Sequence, residues 1–486
     1  MPPVSSPSPL RPPADRCPGA LRPHQAADGP LVRLRLPGGQ IDPGALRVLA
    51  TAAHRSGDGW LELTSRGNVQ LRGLTAGAVQ SVADQCAGAG LLPSATHERV
   101  RNILGSPLSG RDGLGAADIR PLVRQLDAAL CADPALAALP GRFLFAVDDG
   151  RADVTGFDTD VAWQAGTGTL LLAGRGTGLR VAGDRAVAAM LAAAREFLAQ
   201  GGGREGSWRM SDLDGGTERV GAALTARGLA SPAVASPAPD ALGAPRTLGL
   251  PGSPAVPGSP ARERPAPAPP VGLPPAGASP WAVLAVPLGR LSAGQATLLA
   301  ATADAAGGAV VVTPWRSVVV DLDPADPAGQ LLRLTGAGLV DDPGSPWVGL
   351  SACAGTTGCA SALADVRTDA AALAAPPATV VATRPATVLA AAPAGRRPPP
   401  GGAPGEPAPA GGVVHWAGCE RRCGQPVGPV LVAVATGTGY RLHPPAGAPV
   451  TVGSAAAARA FAARWRRRSA GTAPRTPRPA PSREAA

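Results

Sequence analysis

The chain has 486 residues, 45% of them hydrophobic, with 64 Gly and 56 Pro, enough for two or three domains with sizeable cores plus breaker-rich additions. Its net charge is +10, but every basic side chain is Arg and aromatic residues make up only 3%, leaving little with which to stack nucleic-acid bases. No apolar run approaches the ~18 residues of a membrane-spanning helix.

In chain order, residues 1–28 lack the apolar core of a signal peptide and read as a disordered N-terminus, so a cytoplasmic location is expected. Cys17 falls there and is assigned no role. An odd count of seven Cys in a reducing compartment argues against a disulfide framework. Residues 29–92 give strand, helix, two strands, helix. Asp42 is placed to cap the first helix and Pro43 suits its first turn. Within this unit "LELTSRGNVQLRGL" (61–74) alternates with period two. An extended chain would set Arg66, Asn68, Gln70 and Arg72 on one face, opposite Val69 and Leu71. Further on, Val79, Val82, Ala83 and Cys86 recur at helical spacing, which makes Cys86 a core thiol.

Residues 93–230 form a first catalytic subdomain with two polar-rich segments, "HERVRNILGSPLSG" and "LPGRFLFAVDDG". They contribute Arg101, Asn102 and Arg142, while Cys131 beside Leu126 and Leu130 reads as core. A Pro/Gly-rich linker (231–280) follows. Residues 281–343 then repeat the first unit. Pro37 matches Pro287, Thr64 matches Thr313, and Gly88/Gly90 match Gly336/Gly338, with offsets drifting from 250 to 248 as small deletions would produce. In this copy Ser292 is the helix cap. The repeat unit is a ferredoxin-like α+β pattern. Residues 344–466 form the second subdomain, with a Pro/Gly insertion at 391–412, and 467–486 form a basic tail expected to be disordered.

The chemistry concentrates in that second subdomain. "SACAGTTGCASALAD" spaces Cys353 and Cys359 six apart, and "HWAGCERRCGQP" spaces Cys419 and Cys423 four apart. Two thiolate pairs hold either Zn²⁺ or an iron–sulfur cluster, and C-x5-C lies outside the usual zinc spacing. Cys359 is expected to open a helix, whose N-terminal partial positive charge would favour an anionic cluster.

C-x5-C followed by C-x3-C resembles the [4Fe–4S] signature of the nitrite/sulfite reductase superfamily, as do the tandem half-domains and "TSRGNVQ". The resemblance covers roughly 30–228 and 281–465. It implies an α+β fold of two pseudo-repeated halves, each a ferredoxin-like half-domain with an α+β catalytic subdomain. It also implies a [4Fe–4S] cluster on Cys353, Cys359, Cys419 and Cys423. The sirohaem-dependent reductases of the superfamily carry a Lys pair in a segment like "LPRKFK". Here Arg142 replaces the first Lys and Leu144 the second, and neither donates a proton readily at pH 7. "LPGRFLFAVDDGRADV", "TPWRSVVVDL" and "HWAGCERRCGQP" are closer to the precorrin-3B synthase branch.

That branch implies O₂-dependent hydroxylation of precorrin-3A at C20 with γ-lactone formation, within cobalamin biosynthesis. With it come electrons from NADH through an electron-donor protein, and a mononuclear non-haem iron for oxygen activation. No nucleic-acid or membrane partner is expected. Arg66, Arg101 and Arg142 become catalytic candidates. Together with Asn68, Gln70, Arg72 and Asn102 they become candidates for gripping the carboxylates of the macrocycle. For the iron, His97 and His415 are the histidines to test. The rival readings are a sirohaem-dependent sulfite or nitrite reductase and a zinc-stapled, Arg-rich nucleic-acid binder.

Overall fold

The computed structural model describes residues 15, 17–204, 206–232, 271–274, 280–374 and 411–470. Most of the expected linker, residues 391–410 of the insertion and the tail from 471 lie outside the described residues. The chain divides into two compact units, Met1–Leu339 with Pro426–Gly428, and Val340–Gln425 with Pro429–Ala486. No helix among the described residues is long and apolar enough to cross a membrane.

The first unit holds both ferredoxin-like copies. In the first copy, strand Gly29–Leu34 and a turn at Pro37–Gly39 lead into helix Pro43–Ser56, the hairpin Trp60–Leu63/Val69–Leu71 and helix Ala78–Gly88. The second runs Trp281–Ala285, Pro287–Gly289, Ala293–Ala305, Val310–Val312, Ser317–Asp321 and Pro327–Gly336. The copies exchange edges. Gln40–Ile41 of the first extends the second sheet beside Val310–Val311, and Arg290–Ser292 of the second pairs with Trp60–Glu62. Leu46, Leu49, Leu299 and Ala300 therefore belong to one continuous core. Cys86 is part of it, and burial pushes its thiol up to about 12. Ser292 caps its helix reciprocally with Gln295, whereas Asp42 makes no side-chain cap.

The repeat extends to single hydrogen bonds. Thr64 Oγ1 accepts from the amides of Arg66 and Asn68 (3.3 and 3.1 Å), and Thr313 Oγ1 from those of Trp315 and Ser317 (both 3.3 Å). Gly67 and Arg316, at the matching turn position, both adopt a left-handed φ near +60°. That turn corrects the expected continuous strand. "LELTSRGNVQLRGL" is a hairpin, so Arg66 lies in the turn and not in a row with Gln70 and Arg72.

A mixed sheet follows each copy. In the first unit Ile103–Gly105, Phe145–Asp148 and Val161–Gln164 run parallel, then Thr169–Leu172 and Arg175–Arg180 antiparallel. The second unit repeats this order with Leu350–Ala352, Val413–Ala417, Val430–Ala435, Tyr440–His443 and Val450–Val452.

Three boundaries move. His24–Ala26 is a strand paired with Gly29–Leu31, so order begins within residues 1–28. The helix after Cys359 starts only at Val366, because Cys359 sits among turns, and the helix-terminus argument for that thiol does not hold. Helix Ala455–Ala470 carries Arg467 and Arg468, which were expected in the tail.

Candidate functional site

The four cysteines follow two adjacent parallel strands of the second unit. Ala352 pairs with Trp416, so Cys353 and the loop from Gly418 leave the same end of the sheet, where ligands bind in parallel sheets. The Cys353 amide donates to Trp416 O (2.9 Å) and its sulfur accepts from Gly418 N (3.1 Å). Leu363 N donates to Gly418 O (2.8 Å) and Ala362 N to Cys359 O (3.0 Å), which folds the C-x5-C loop back over that strand end. A Cβ on Gly418 would stand 2.7 Å from Ala362 Cβ, so this crossing requires glycine.

Burial raises the Cys423 thiol above its ordinary value, and negative charge on Cys353, Cys419 and Cys359 raises it further. The two cysteine loops meet at this end of the sheet, tied by the Gly418–Cys353 and Leu363–Gly418 hydrogen bonds. The C-x5-C spacing of Cys353 and Cys359 lies outside the two to four residues usual between zinc-binding cysteines. The residues fit a four-thiolate iron–sulfur cluster.

The first unit keeps the same frame with other side chains. Ser106 occupies the place of Cys353: its amide donates to Val147 O (3.3 Å), and its hydroxyl accepts from Asp149 N (3.0 Å) as Cys353 sulfur does from Gly418 N. The loop contributes Asp148, Asp149 and Asp153, all buried, the one described group of three acids with ligand atoms within 4.8 Å. Their oxygens are engaged. Asp148 accepts from the amides of Gly150, Ala152 and Val154, Asp149 is paired with Arg151, and Asp153 accepts from Ser106 Oγ (2.6 Å). The trio is a braced turn and carries no metal assignment. Burial, with Asp148 and Asp149 nearby, pushes the Asp153 carboxyl up to about 7. A carboxyl raised above its unfolded value of ~3.9 favours folding below that pH, and the benefit is lost as pH rises through about 7. Asp153→Asn is therefore expected to flatten the fall in melting temperature between pH 4 and 8, with the variant several degrees above the parent at pH 8, read by thermal denaturation across pH.

The arginine and amide candidates separate into those occupied within the protein and those left over. Arg72 is buried and grips Asp28 with two bonds of 3.0 Å. Arg101 is buried and bidentate to Asp127 (2.7 and 2.6 Å), with a third bond to Leu91 O. Gln70 bridges Arg33 and Glu62, Asn68 accepts from Leu36 N, and Asn102 donates to Arg99 O and Gly141 O. Five of the seven predicted residues are thus engaged within the protein. Arg142 is exposed, in a turn between the buried Gly141 and Phe143. Leu144 is packed among Leu104, Ala146 and Phe157. His97 bonds Ser94, Thr96 and Asp133 O through both ring nitrogens, whereas His415 bonds Ser351 through Nδ1.

Arg66 remains. Its guanidinium makes no ion pair among the described residues, and burial together with the nearby Arg209 holds its pKa down to about 10. A second arginine, absent from the sequence-based candidates, stands out more. Arg35 is 2% exposed, and none of its three guanidinium nitrogens has a hydrogen-bond partner among the described residues. Burial first, then Arg33 and Arg66, bring it to about 9. Leaving a charged buried donor unmade costs more than ~1–3 kcal/mol, so this guanidinium is held at a cost to stability. The signal was present in "VRLRLPGG", where Arg33 and Arg35 alternate with Val32, Leu34 and Leu36. In the second copy Val283 and Ala285 stand in their places.

Fold and site define a class. Residues 22–89 match the nitrite/sulfite reductase ferredoxin-like half domain. The solved structure of the Mycobacterium tuberculosis NirA protein superposes with a TM-score of 0.61 at 18% identity, covering 87% of this chain and 76% of that one. The fold is thus the nitrite/sulfite reductase-like α+β fold that the sequence implied. Among named proteins, the chain is similar to a precorrin-3B synthase from Sinorhizobium sp, 35% identical over 150 residues, which is 31% of this chain and 32% of that one. It is also similar to a ferredoxin–nitrite reductase from Leptolyngbya laminosa, 34% identical over 123 residues and 24% of each chain. The aligned stretches span a third or less of these relatives.

Proposed function

We propose that the chain is an oxidoreductase acting on a reduced, carboxylate-rimmed tetrapyrrole, with the reaction of precorrin-3B synthase: O₂-dependent hydroxylation of precorrin-3A at C20 and closure of the ring A acetate into a γ-lactone. The observation that carries this reading is Arg35, a buried guanidinium without a hydrogen-bond partner among the described residues, within the electrostatic influence of Arg66. A macrocycle ringed with acetates and propionates supplies carboxylates for bidentate, charge-assisted bonds. Cys353, Cys359, Cys419 and Cys423 would hold a [4Fe–4S] cluster, which supplies single electrons. NADH, through a donor protein, is the proposed ultimate reductant, and a mononuclear iron for oxygen activation belongs to the same reading, with no ligands assigned.

Sirohaem-dependent nitrite reduction is the second reading, favoured by the similarity to nitrite reductases. Leu144 weighs against it. It sits packed in the core where those enzymes carry a basic proton donor, so that position has no proton to give.

Anaerobic purification followed by visible spectroscopy and metal analysis separates the readings. Brown iron–sulfur absorption without extractable sirohaem supports the synthase reading, bound sirohaem supports the reductase, and zinc alone sinks both. The deciding assay supplies precorrin-3A, O₂ and reductant to cluster-replete protein and looks for the oxygenated lactone by mass; no product overturns the proposal. In that protein Arg66→Ala is expected to weaken tetrapyrrole binding roughly tenfold or more, from a charge-assisted bond of ~1.5–3 kcal/mol. Cluster absorption stays intact.

A further inference from the structure

The second cysteine loop, residues 419–423, is fastened to a neighbouring strand of its own unit. The loop is a tight turn in which Arg422 N donates to Cys419 O (3.1 Å). On the strand Tyr440–His443, Tyr440 and Leu442 are buried, so Arg441 and His443 alternate onto the other face. Both meet the loop. Arg422 Nη2 donates to the His443 imidazole, closer to Nε2 (3.1 Å) than to Nδ1 (3.5 Å), and to Glu420 Oε2 (3.2 Å). Glu420 Oε1 in turn accepts from Arg441 Nη1 (3.5 Å). The two ties are unequal. The Arg441 and Glu420 side chains are 49% and 60% exposed and at the limit of hydrogen-bond length, a geometry that contributes little. Arg422 and His443 are half-buried, and a guanidinium donor makes their bond charge-assisted and stronger.

Two observations single out this contact. Arg422 adopts a left-handed φ of 48°, a conformation that glycine takes most easily. A larger residue persists there where its surroundings fix it, so the side chain is kept for what it reaches. A guanidinium also can only donate, so the ring must present a bare nitrogen to it. Burial, followed by Arg422, lowers the His443 pKa below its ordinary value, which keeps the ring neutral and able to accept.

We propose that His443 is a positioning residue for the iron–sulfur ligands: through Arg422 it clamps the 419–423 loop to the strand Tyr440–His443 and so sets how firmly Cys419 and Cys423 retain the cluster. The clamp rests on the reading of the four cysteines as cluster ligands and not on the tetrapyrrole substrate. His443 acts without touching the cluster, because the binding of a metal group is coupled to the order of the loops that supply its ligands.

Full-length, cluster-replete protein is exposed anaerobically to reductant and excess ferrous chelator, and iron release is followed by absorbance. His443→Phe keeps a ring but removes the acceptor, and is expected to release iron about tenfold faster, the scale of one hydrogen bond to a charged group. His443→Gln offers Arg422 a carbonyl oxygen and is expected to return the rate close to the parent's, a rescue that a packing role for the ring would not give. Arg422→Gly relaxes the backbone yet is expected to lose iron as fast as His443→Phe. The double variant should be no faster than either single one, since both remove the same contact. Parental rates in His443→Phe or Arg422→Gly, failure of glutamine to rescue, or additive effects overturn the proposal. Hydrogen exchange of the 418–425 peptide in cluster-free protein repeats the comparison without iron, with His443→Phe expected to exchange faster there than the parent and His443→Gln. A parent that takes up no iron sinks the cluster assignment, and the exchange order then decides the clamp by itself. A parent that holds iron no better than its variants do sinks only the clamp.

Discussion

Arg35→Met is expected to yield a protein that melts higher than the parent in the absence of ligand and no longer binds its anionic ligand. Both halves follow from one fact. Arg35 is buried with every guanidinium nitrogen unsatisfied among the described residues, and its pKa falls to about 9 because burial opposes its charge. Replacing buried ionic groups by apolar side chains of similar volume is neutral or stabilising by ~1–4 kcal/mol even when the charge is paired. Here no hydrogen bond to a described residue is lost, and removing the positive charge relieves its repulsion with Arg33 and Arg66 against a smaller loss of attraction to Glu98. A gain of several degrees in melting temperature is expected on that scale. On the binding side, deleting one partner of a buried charge pair costs ~2–5 kcal/mol, on the order of 30- to 5,000-fold in affinity. Differential scanning calorimetry and titration with a polycarboxylate tetrapyrrole check the two outcomes. A lower melting temperature with unchanged binding would mean that Arg35 is held by the protein itself. A charge kept at a cost in stability is the pattern expected of functional sites.

The same contrast explains what the sequence made legible. Repeats, caps and cysteine spacings are local, so the drifting offset from Pro37/Pro287 to Thr64/Thr313 carried through to matching hydrogen bonds around the two threonines. The polar face of "LELTSRGNVQLRGL" was misread because period-two alternation assumes extended backbone, and the left-handed Gly67 breaks it. Whether an arginine is free was a non-local question. Arg72 meets Asp28, 44 residues earlier, and Arg101 meets Asp127, 26 residues later, and nothing in the local pattern announces either acid. Arg35 was recoverable by the reasoning already applied to the hairpin, because a charge alternating with Leu and replaced by Ala285 in the other copy marks a position the fold itself does not require. The correspondence of Ser106 with Cys353 was beyond sequence, since the two share a place in the sheet but no residue type.

Cys359→Ser is expected to lose the cluster and the activity together, with a structural signature confined to two loops. Cys353 directly follows the strand Leu350–Ala352, whereas Cys359 sits in turns tied down only by a few backbone bonds, among them Ala362 N to Cys359 O and Leu363 N to Gly418 O. The free energy of binding a metal group at such a site is also the free energy that orders its loops. Serine is a poor ligand for iron, and the three remaining thiols repel one another once charged, as the raised Cys423 already indicates. The variant should therefore be purified colourless or with less than about a tenth of the parent's iron and sulfide. Limited proteolysis should gain cuts in residues 353–365 and 418–425. The strands Val413–Ala417 and Val430–Ala435 should stay protected, because their cores of Val414, Trp416, Leu431 and Val432 do not depend on the thiols. If the second unit unfolds as a whole, the cluster is a staple of that entire unit. If the variant keeps full absorbance and iron, Cys359 is not a ligand and the C-x5-C assignment fails.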